Sequence, residues 1–411
     1  MDTGSGSLID SPRDFLEENF MICRIILAAA ITLAFAASPA MAQQKLKIGF
    51  ITTLSGPGGI IGKHMRDSVE VALDQLNRKV GGLETEVIYG DDQFKPDVGL
   101  QVAEEMMKKN GVDIMSGIIW SNVMLAVQPA VNKAGLIMVG TNAGASPLAG
   151  TGCNELYFST SWNNDQTPEA MGKFMQDAGV NDVYLMAPNY QAGKDMVAGF
   201  KRYYKGRIVD EVFTRVGQPD YQAELSQLRA KNPKNVFVFY PGGMGVAFMK
   251  QWSEGGFRGQ FPLYSVFTVD ETTIPALKHS VLGQYETKFW SPDLKVPASQ
   301  KFVADFQKKN GYLPSFYGAQ SYDGIMLIDS AVRAVKGNVK DSKGMVMAMR
   351  KANYNSIRGK FTFNVNHHPI QDFYLIKAVA GPAGKDPVME IQKKVFENHK
   401  DSYYKDCKMK W

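Results

Sequence analysis

The chain has 411 residues, 45% of them hydrophobic, with 46 Lys and Arg against 41 Asp and Glu and three cysteines. The basic excess is scattered as Lys-Lys and Lys-Arg pairs on helices. No basic stripe is interleaved with aromatics, which argues for solvated helix faces and against nucleic-acid binding. The length fits two domains with separate cores, and no run after the N-terminal region approaches the roughly 20 apolar residues a membrane span needs.

Residues 1–20 precede a stretch that starts at Met21 with Arg24 and an apolar run from Ile25 to Ala37. It closes on Ala40-Met41-Ala42, a small-x-small cleavage signal. This is the pattern of a secretory signal peptide over 21–42. Residues 1–20 would place acidic groups where a positive leader belongs, so either Met21 is the native start or the extension before it is not native. The alternative is a buried N-terminal helix in a cytosolic protein. The segment set aside holds two basic and five acidic residues, so the remainder, with 44 basic and 36 acidic, is formally +8.

Cleavage leaves Cys153 and Cys407, and an even pair in an exported chain invites a disulfide tying the C-terminal tail to the middle of the chain. Two cysteines and scattered histidines (His64, His279, His367, His368, His399) offer no metal-ligand spacing, and no metal is expected.

From residue 43 onward, short apolar runs alternate with amphipathic helices. A strand over 46–53 leads to the turn Leu-Ser-Gly-Pro-Gly-Gly (54–59) and a helix to about residue 78. A strand over 84–91 leads to a helix over 96–109. Next comes the segment around which the first half is organised: a buried strand (113–119), the polar turn Trp120-Ser121-Asn122, an apolar helix, a strand (136–139), and the turn Gly-Thr-Asn-Ala-Gly-Ala-Ser (140–146). Two parallel strands ending in small, hydroxyl-bearing turns can aim free main-chain N–H groups and hydroxyls into one crevice, a geometry suited to a carboxylate. A second set of units follows: helices over 167–177, 191–204, 221–231 and 244–254, with strands over 182–187, 207–213, 235–240 and 262–266. A strand-like run (283–290), helices over 297–310, 318–335 and 341–352, and strands over 360–364 and 373–379 finish the pattern. Such alternation predicts α/β architecture with parallel sheets covered on both faces. There is no solenoid repeat or low-complexity linker.

Several of these motifs, taken in order, resemble the type I periplasmic solute-binding proteins, in particular the Leu/Ile/Val-binding-protein-like branch that serves ABC importers. They are Leu-Ser-Gly-Pro (54–57), Tyr-Gly-Asp-Asp (89–92) before Lys95-Pro96, Gln128-Pro129-Ala130 with Lys133-Ala134-Gly135-Leu136-Ile137, and Asn164-Asp165-Gln166. The similarity covers 45–380. It implies two doubly wound parallel-sheet lobes joined by three crossovers near 159–162, 289–292 and 366–370. Lobe 1 would be 43–160 plus 288–367, and lobe 2 would be 161–287 plus 368–411. It also implies hinge closure on a small organic ligand, a membrane permease as partner, a periplasmic location, a monomer, no cofactor and no catalysis.

The family's ligand positions fall on named residues. Ile61 stands where relatives place a side chain against the ligand. Ser121 stands at the hydroxyl that grips the carboxylate, and Thr141, Asn142 and Gly144 lie on the second carboxylate turn. Gly144 departs from the hydroxyl residue expected there. On the second lobe, Ala192 takes the place of a frequent Tyr, with Tyr190 nearby, and Gly243 takes a position that relatives fill with an aromatic. Phe267 falls where amino-acid binders place the carboxylate that pairs with the ligand's ammonium. An ammonium desolvated against a phenyl ring would lack its counter-charge, a penalty of several kcal/mol that cation–π attraction offsets only in part. Asp270 and Glu271 follow three and four residues on and would restore an acid if the alignment slips.

Trp120, Trp162, Tyr190 and Phe267 could stack on a flat ring, so a benzoate-like or hydroxycinnamate-like acid is the specific expectation. The competing ones are a branched-chain or other amino acid, and an aliphatic acid or amide with Trp120 and Trp162 serving as core or hinge packing. A sensory ectodomain shares the fold and is a third class. Enzyme motifs fail on chemistry. In the phosphate-loop-like run ending Gly62-Lys63-His64, Pro57 holds the first glycine position and His64 replaces the Ser or Thr. The run Gly243-Met-Gly245 ends on Phe248 where a dinucleotide site needs a small residue.

Overall fold

The computed structural model describes residues 45–410; the expected extension (1–20) and signal segment (21–42) lie outside the described residues. Strands and helices alternate through most of the chain. The first lobe opens with β1 (Leu46–Thr52), α1 (Gly59–Gln75), β2 (Lys79–Val80), β3 (Leu83–Asp91) and α2 (Pro96–Glu105). It continues with β4 (Ile114–Gly117), α3 (Ser121–Lys133), β5 (Ile137–Gly140), the short α4 (Ser146–Ala149) and β6 (Tyr157–Ser159). The chain then passes to α5 (Gln166–Asp177), β7 (Asp182–Pro188), α6 (Gln191–Tyr203), β8 (Arg207–Thr214), α7 (Gln222–Lys231), β9 (Val236–Phe239), α8 (Gly243–Glu254), β10 (Leu263–Val266), the short α9 (Ile274–Leu277) and β11 (Tyr285–Lys288). Helices α10 (Pro297–Asn310), α11 (Phe316–Ala334) and α12 (Ser342–Lys351) precede β12 (Thr362–Phe363), β13 (Pro369–Val379) and β14 (Val388–His399).

Two sheets result. The first runs β2-β3-β1-β4-β5-β6, parallel except where β2 folds back on β3. The second runs β12-β13-β11-β10-β9-β7-β8 with β14 on the free edge of β13. Its β7 to β11 core is parallel, and β13 and β14 close it antiparallel. The central strands are buried along their whole length, as in Val236–Phe239, because helices cover both faces of a parallel sheet. Strand β14 is a difference from the sequence expectation, which ended the fold at residue 379. Its run of Glu, Gln, Lys and Asn carries too little apolar alternation to read as a strand. Main-chain pairing to β13 from Val388 to His399 forms it nonetheless.

The lobes exchange chain three times, and the crossing segments are stitched together. Ser159 N–H donates to His367 O at 3.0 Å, joining the first passage to the third. Arg358 links all three: its guanidinium donates to Ser161 O (3.4 Å) and Gln371 Oε1 (2.9 Å), and lies 5.2 Å from the Phe289 ring. Asp323 on α11 balances its charge at 2.9 Å. After the second passage, α11 packs along α1 of the first lobe. Cys153 and Cys407 are bonded to each other, 254 residues apart in sequence. No helix among the described residues is long and apolar enough to cross a membrane.

Candidate functional site

The ends of parallel strands aim their following turns at the gap between the sheets, and the local sequence dictates how each turn is held. Gly117 ends β4 at φ +105, where a Cβ would stand 2.1 Å from Ile51 O, so only glycine fits. Ile118 follows at φ +68, a region that a β-branched residue rarely enters. Ile118 N–H donates to Ile51 O at 2.6 Å, and its carbonyl accepts from Ala143 N at 3.0 Å, so both neighbouring strands clamp the strained residue. The clamped turn delivers Trp120 and then Ser121 at the start of α3, whose first N–H groups have no intrahelical partner.

Trp120 is fixed on two sides. Its Nε1–H donates to Thr53 Oγ1 at 2.6 Å, and Thr53 in turn donates to Asp92 Oδ1 at 2.5 Å. Its ring stacks on Phe94 with centroids 3.8 Å apart. Phe94 itself sits at φ +63, with its N–H on Asp92 Oδ1 at 2.9 Å. The β5–α4 turn is tied equally tightly: Asn142 Nδ2 donates to Ile119 O (2.7 Å), and Asn142 Oδ1 accepts from Gln320 Nε2 (2.5 Å).

From the second lobe, Asn164 Nδ2 donates to Ser121 Oγ (2.9 Å) and Asp195 Oδ2 (2.9 Å), while Trp162 Nε1 donates to Asn164 Oδ1 (3.3 Å). Gly144 explains its own departure from a hydroxyl residue, since a Cβ there would stand 2.4 Å from Trp162 O at the junction of the lobes. Trp162 packs on Phe267 at 4.7 Å, Phe267 stacks on Phe316 at 4.7 Å, and Tyr190 lies parallel to Phe239 at 6.3 Å.

Phe267 occupies the left-handed region, φ +57. Beneath it, the Glu286 carboxylate accepts the N–H groups of Phe267 (3.1 Å), Thr268 (2.9 Å) and Val269 (2.6 Å) and the hydroxyl of Ser265 (2.7 Å). Lys288, also buried, pairs with Glu286 at 3.2 Å and donates to Val269 O at 3.1 Å. Burial alone would pull the lysine down. The carboxyls of Glu286, Glu271 and Asp270 outweigh it and hold the ammonium above its usual range. Burial lifts all three acids, Glu271 to about 7.

The result is a narrow cleft of about 290 Å³ counted to its mouth. Six of the ligand positions singled out from sequence line it: Trp120, Asn142, Trp162, Tyr190, Ala192 and Phe267. Ile61, Ser121, Thr141, Gly144 and Gly243 are not among the lining residues. Ser121 Oγ is engaged by Asn164, Thr141 Oγ1 accepts from Ser321 (3.4 Å), Gly144 O accepts from Asn164 N (2.8 Å), and Ile61 abuts the second-lobe turn at Gly242. The lining also includes Ile119, Asn164, Met196, Phe239, Pro241 and Tyr317. Met196, Phe239 and Tyr317 carried no signal beyond the apolar periodicity of a helix or strand, which also describes core residues. No lining side chain among the described residues is a carboxylate, a lysine or an arginine, and no cluster of His, Cys, Asp and Glu suited to a metal occurs among them.

Residues 45–384 match the periplasmic binding protein family. A Leu/Ile/Val-binding protein homolog from Brucella melitensis is 27% identical over 92% of this chain and 98% of the relative. An ABC-transporter solute-binding protein from R. palustris, solved in complex with benzoate, is 26% identical with a TM-score of 0.84, covering 89% of this chain and 100% of that one. A leucine-binding protein from Thermotoga maritima, at 20% identity and a TM-score of 0.74 over 85% of this chain and 98% of its own, shares the fold.

Proposed function

The chain belongs to the periplasmic binding protein family, and from that premise we propose that it is the solute-binding component of an ABC importer, capturing a small aromatic carboxylate in the periplasm. The lobes, divided as 43–160 plus 288–367 and 161–287 plus 368–411, close on the ligand about the three crossovers, and a membrane permease reads the closed form. The protein works as a monomer and performs no chemistry on its cargo.

One observation carries the ligand class: the cleft walls are aromatic and carry no acidic side chain among the described residues. A ligand ring gains stacking from Trp120, Trp162, Tyr190 and Phe267, each ring pair adding about 0.5–1.5 kcal/mol beyond area burial. Its carboxylate lies at the first turn of α3, where the N–H groups of Ser121 and Asn122 and the positive end of the helix dipole favour an anion. In this reading a ring enters with the lobes apart and is gripped as they approach. Differential contact from the second lobe, through Trp162 and Phe267, is what biases the lobes toward closure.

The names of the curated relatives favour a second reading, a branched-chain amino acid. Its ammonium would need a carboxylate that the cleft wall does not present. A thermal-shift screen decides between them. A true ligand at 100 times its dissociation constant adds about 2.7 kcal/mol. Stabilisation by benzoates and not by leucine, isoleucine or valine is the expected outcome; the reverse pattern rejects the aromatic-acid reading.

A further inference from the structure

Among the described residues that line the cleft, Tyr317 is the one whose side chain ends in a buried polar atom with no hydrogen-bond partner. It is 2% exposed and sits in the first turn of α11, which is held firmly at that end. Ser315 N–H donates to His64 Nδ1 at 3.2 Å, Gln320 bonds Asn142, and Ser321 Oγ donates to Tyr317 O at 2.9 Å. The ring is packed 3.9 Å from Phe316 and 6.4 Å from Phe267, so the phenol has little freedom to turn elsewhere. Buried hydroxyls are usually satisfied, and Tyr317 differs from other buried phenols without a partner, such as Tyr221 and Tyr240, in lining the cleft, where an entering group can supply the missing bond.

The charges around the cleft say which part of a ligand that is. Burial, then the nearby Asp270, Tyr190, Glu286 and Glu271, raise the Tyr317 phenol well above its usual range, so it stays protonated. Three carboxyls facing a single lysine make this end hostile to an anion, whereas the α3 end offers main-chain N–H groups and a positive dipole. The carboxylate and the group that meets Tyr317 are therefore at opposite ends of the ligand. The group at Tyr317 is neutral and, beside a phenol that can donate or accept, is best matched by a hydroxyl. Resting on the aromatic-acid reading above, we propose that the ligand is a hydroxylated aromatic acid whose ring hydroxyl pairs with Tyr317 Oη, making Tyr317 the residue that separates hydroxylated from plain benzoates.

Calorimetric titration of the parent protein and of Tyr317→Phe with benzoate, 3-hydroxybenzoate, 4-hydroxybenzoate and 4-methylbenzoate tests this. The parent is expected to prefer one of the hydroxybenzoates over the methyl compound of similar size by about tenfold or more, as the loss of a buried hydrogen bond requires. In Tyr317→Phe that preference falls by about tenfold while the benzoate dissociation constant moves by less than about threefold, which also shows the variant is folded. An unchanged preference in the variant, or equal weakening of benzoate and hydroxybenzoates, overturns the proposal. If the parent binds benzoate with no preference for a hydroxyl, this inference fails alone; if it binds none of the four, the aromatic-acid reading fails with it.

Discussion

The carboxylate of Glu286 accepts the main-chain N–H of Phe267 at 3.1 Å, and that bond holds a phenylalanine at φ +57 in the wall of the cleft. A ring thus lines the cleft at residue 267, while an acid lies behind it gripping the backbone. Left-handed conformations at non-glycine residues persist where the surroundings over-determine them. Here three consecutive N–H groups on one buried carboxylate, itself paired with Lys288, provide that restraint.

Removing the charge from Glu286 therefore acts on both stability and binding. Glu286→Gln replaces one acceptor oxygen with an amide that cannot accept an N–H. Unfolding free energy is expected to fall by about 1–3 kcal/mol in urea titrations, the cost of a buried group left unpaired. Ligand affinity drops in step as the 267–269 turn relaxes. Unaltered stability together with unaltered affinity would show that the turn holds itself.

The Cys153–Cys407 bond closes a loop spanning 254 residues, and neither cysteine lines the cleft. Chain entropy assigns such a cross-link about 3–5 kcal/mol. The tail has other anchors, including Tyr403 Oη to Asp165 at 3.1 Å and Ser402 Oγ to Glu169 at 2.8 Å, so the fold persists without it. Adding reductant, or replacing both cysteines with serine, should lower the unfolding midpoint and leave the dissociation constant within about twofold. A large loss of affinity would mean that the tail shapes the site.

His64 provides a pH test. Burial, then the charge of Lys63, drives its pKa down to about 3, and its Nδ1 accepts the Ser315 N–H, so the folded protein keeps it neutral. The unfolded chain takes up a proton near pH 6.5. The neutral ring's contribution is therefore fully present above 6.5 and is lost as pH falls toward 3, at up to about 1.4 kcal/mol per pH unit. Asp165 and Glu271, raised to about 6 and about 7 by burial, act in the opposite sense. Comparing His64→Gln with the parent at each pH cancels their effect. The stability gap between the two should shrink steadily from pH 6.5 to 4; a constant gap would show that His64 does not titrate differently in the two states.

The alternation of strand and helix, the turns at 54–59, 120–122 and 140–146, and the aromatic residues Trp120, Trp162 and Phe267 were legible because each is local: an apolar run, a turn residue, a ring beside it. Tyr317 and Phe239 were not, because a ring inside an apolar helix or strand has the same sequence signature whether it meets a core or a cleft. The role of Glu286 was hidden for a related reason. It lies 19 residues beyond Phe267, and only the parallel pairing of β10 with β11 brings them together. Phe94, which backs Trp120, likewise follows an Asp-Asp turn that sequence reads as a simple helix start. Strand β14 was missed because its pairing, and not its composition, makes it a strand.

Phe267→Glu bears most directly on the ligand class. A carboxylate at this position would stand against the ligand ring with Glu286, Asp270 and Glu271 behind it. The ligand carboxylate lies at the α3 end, so the two like charges stand about 8 Å apart and repel by about 2 kcal/mol at an effective dielectric of about 20, and an aromatic acid should lose about thirtyfold in affinity. Phe267→Leu serves as the control: it removes the ring without adding charge and should cost only about 0.5–1.5 kcal/mol of stacking. Titration of both variants with a benzoate and with leucine reads the result. A thirtyfold loss in the first and a modest loss in the second place Phe267 against the ligand, and a gain of leucine binding by Phe267→Glu would show that its ring is what turns amino acids away. Equal benzoate affinity in all three proteins, measured also at a pH high enough to ionise the new carboxyl, which burial and the neighbouring acids push upward, would put the ligand elsewhere in the molecule.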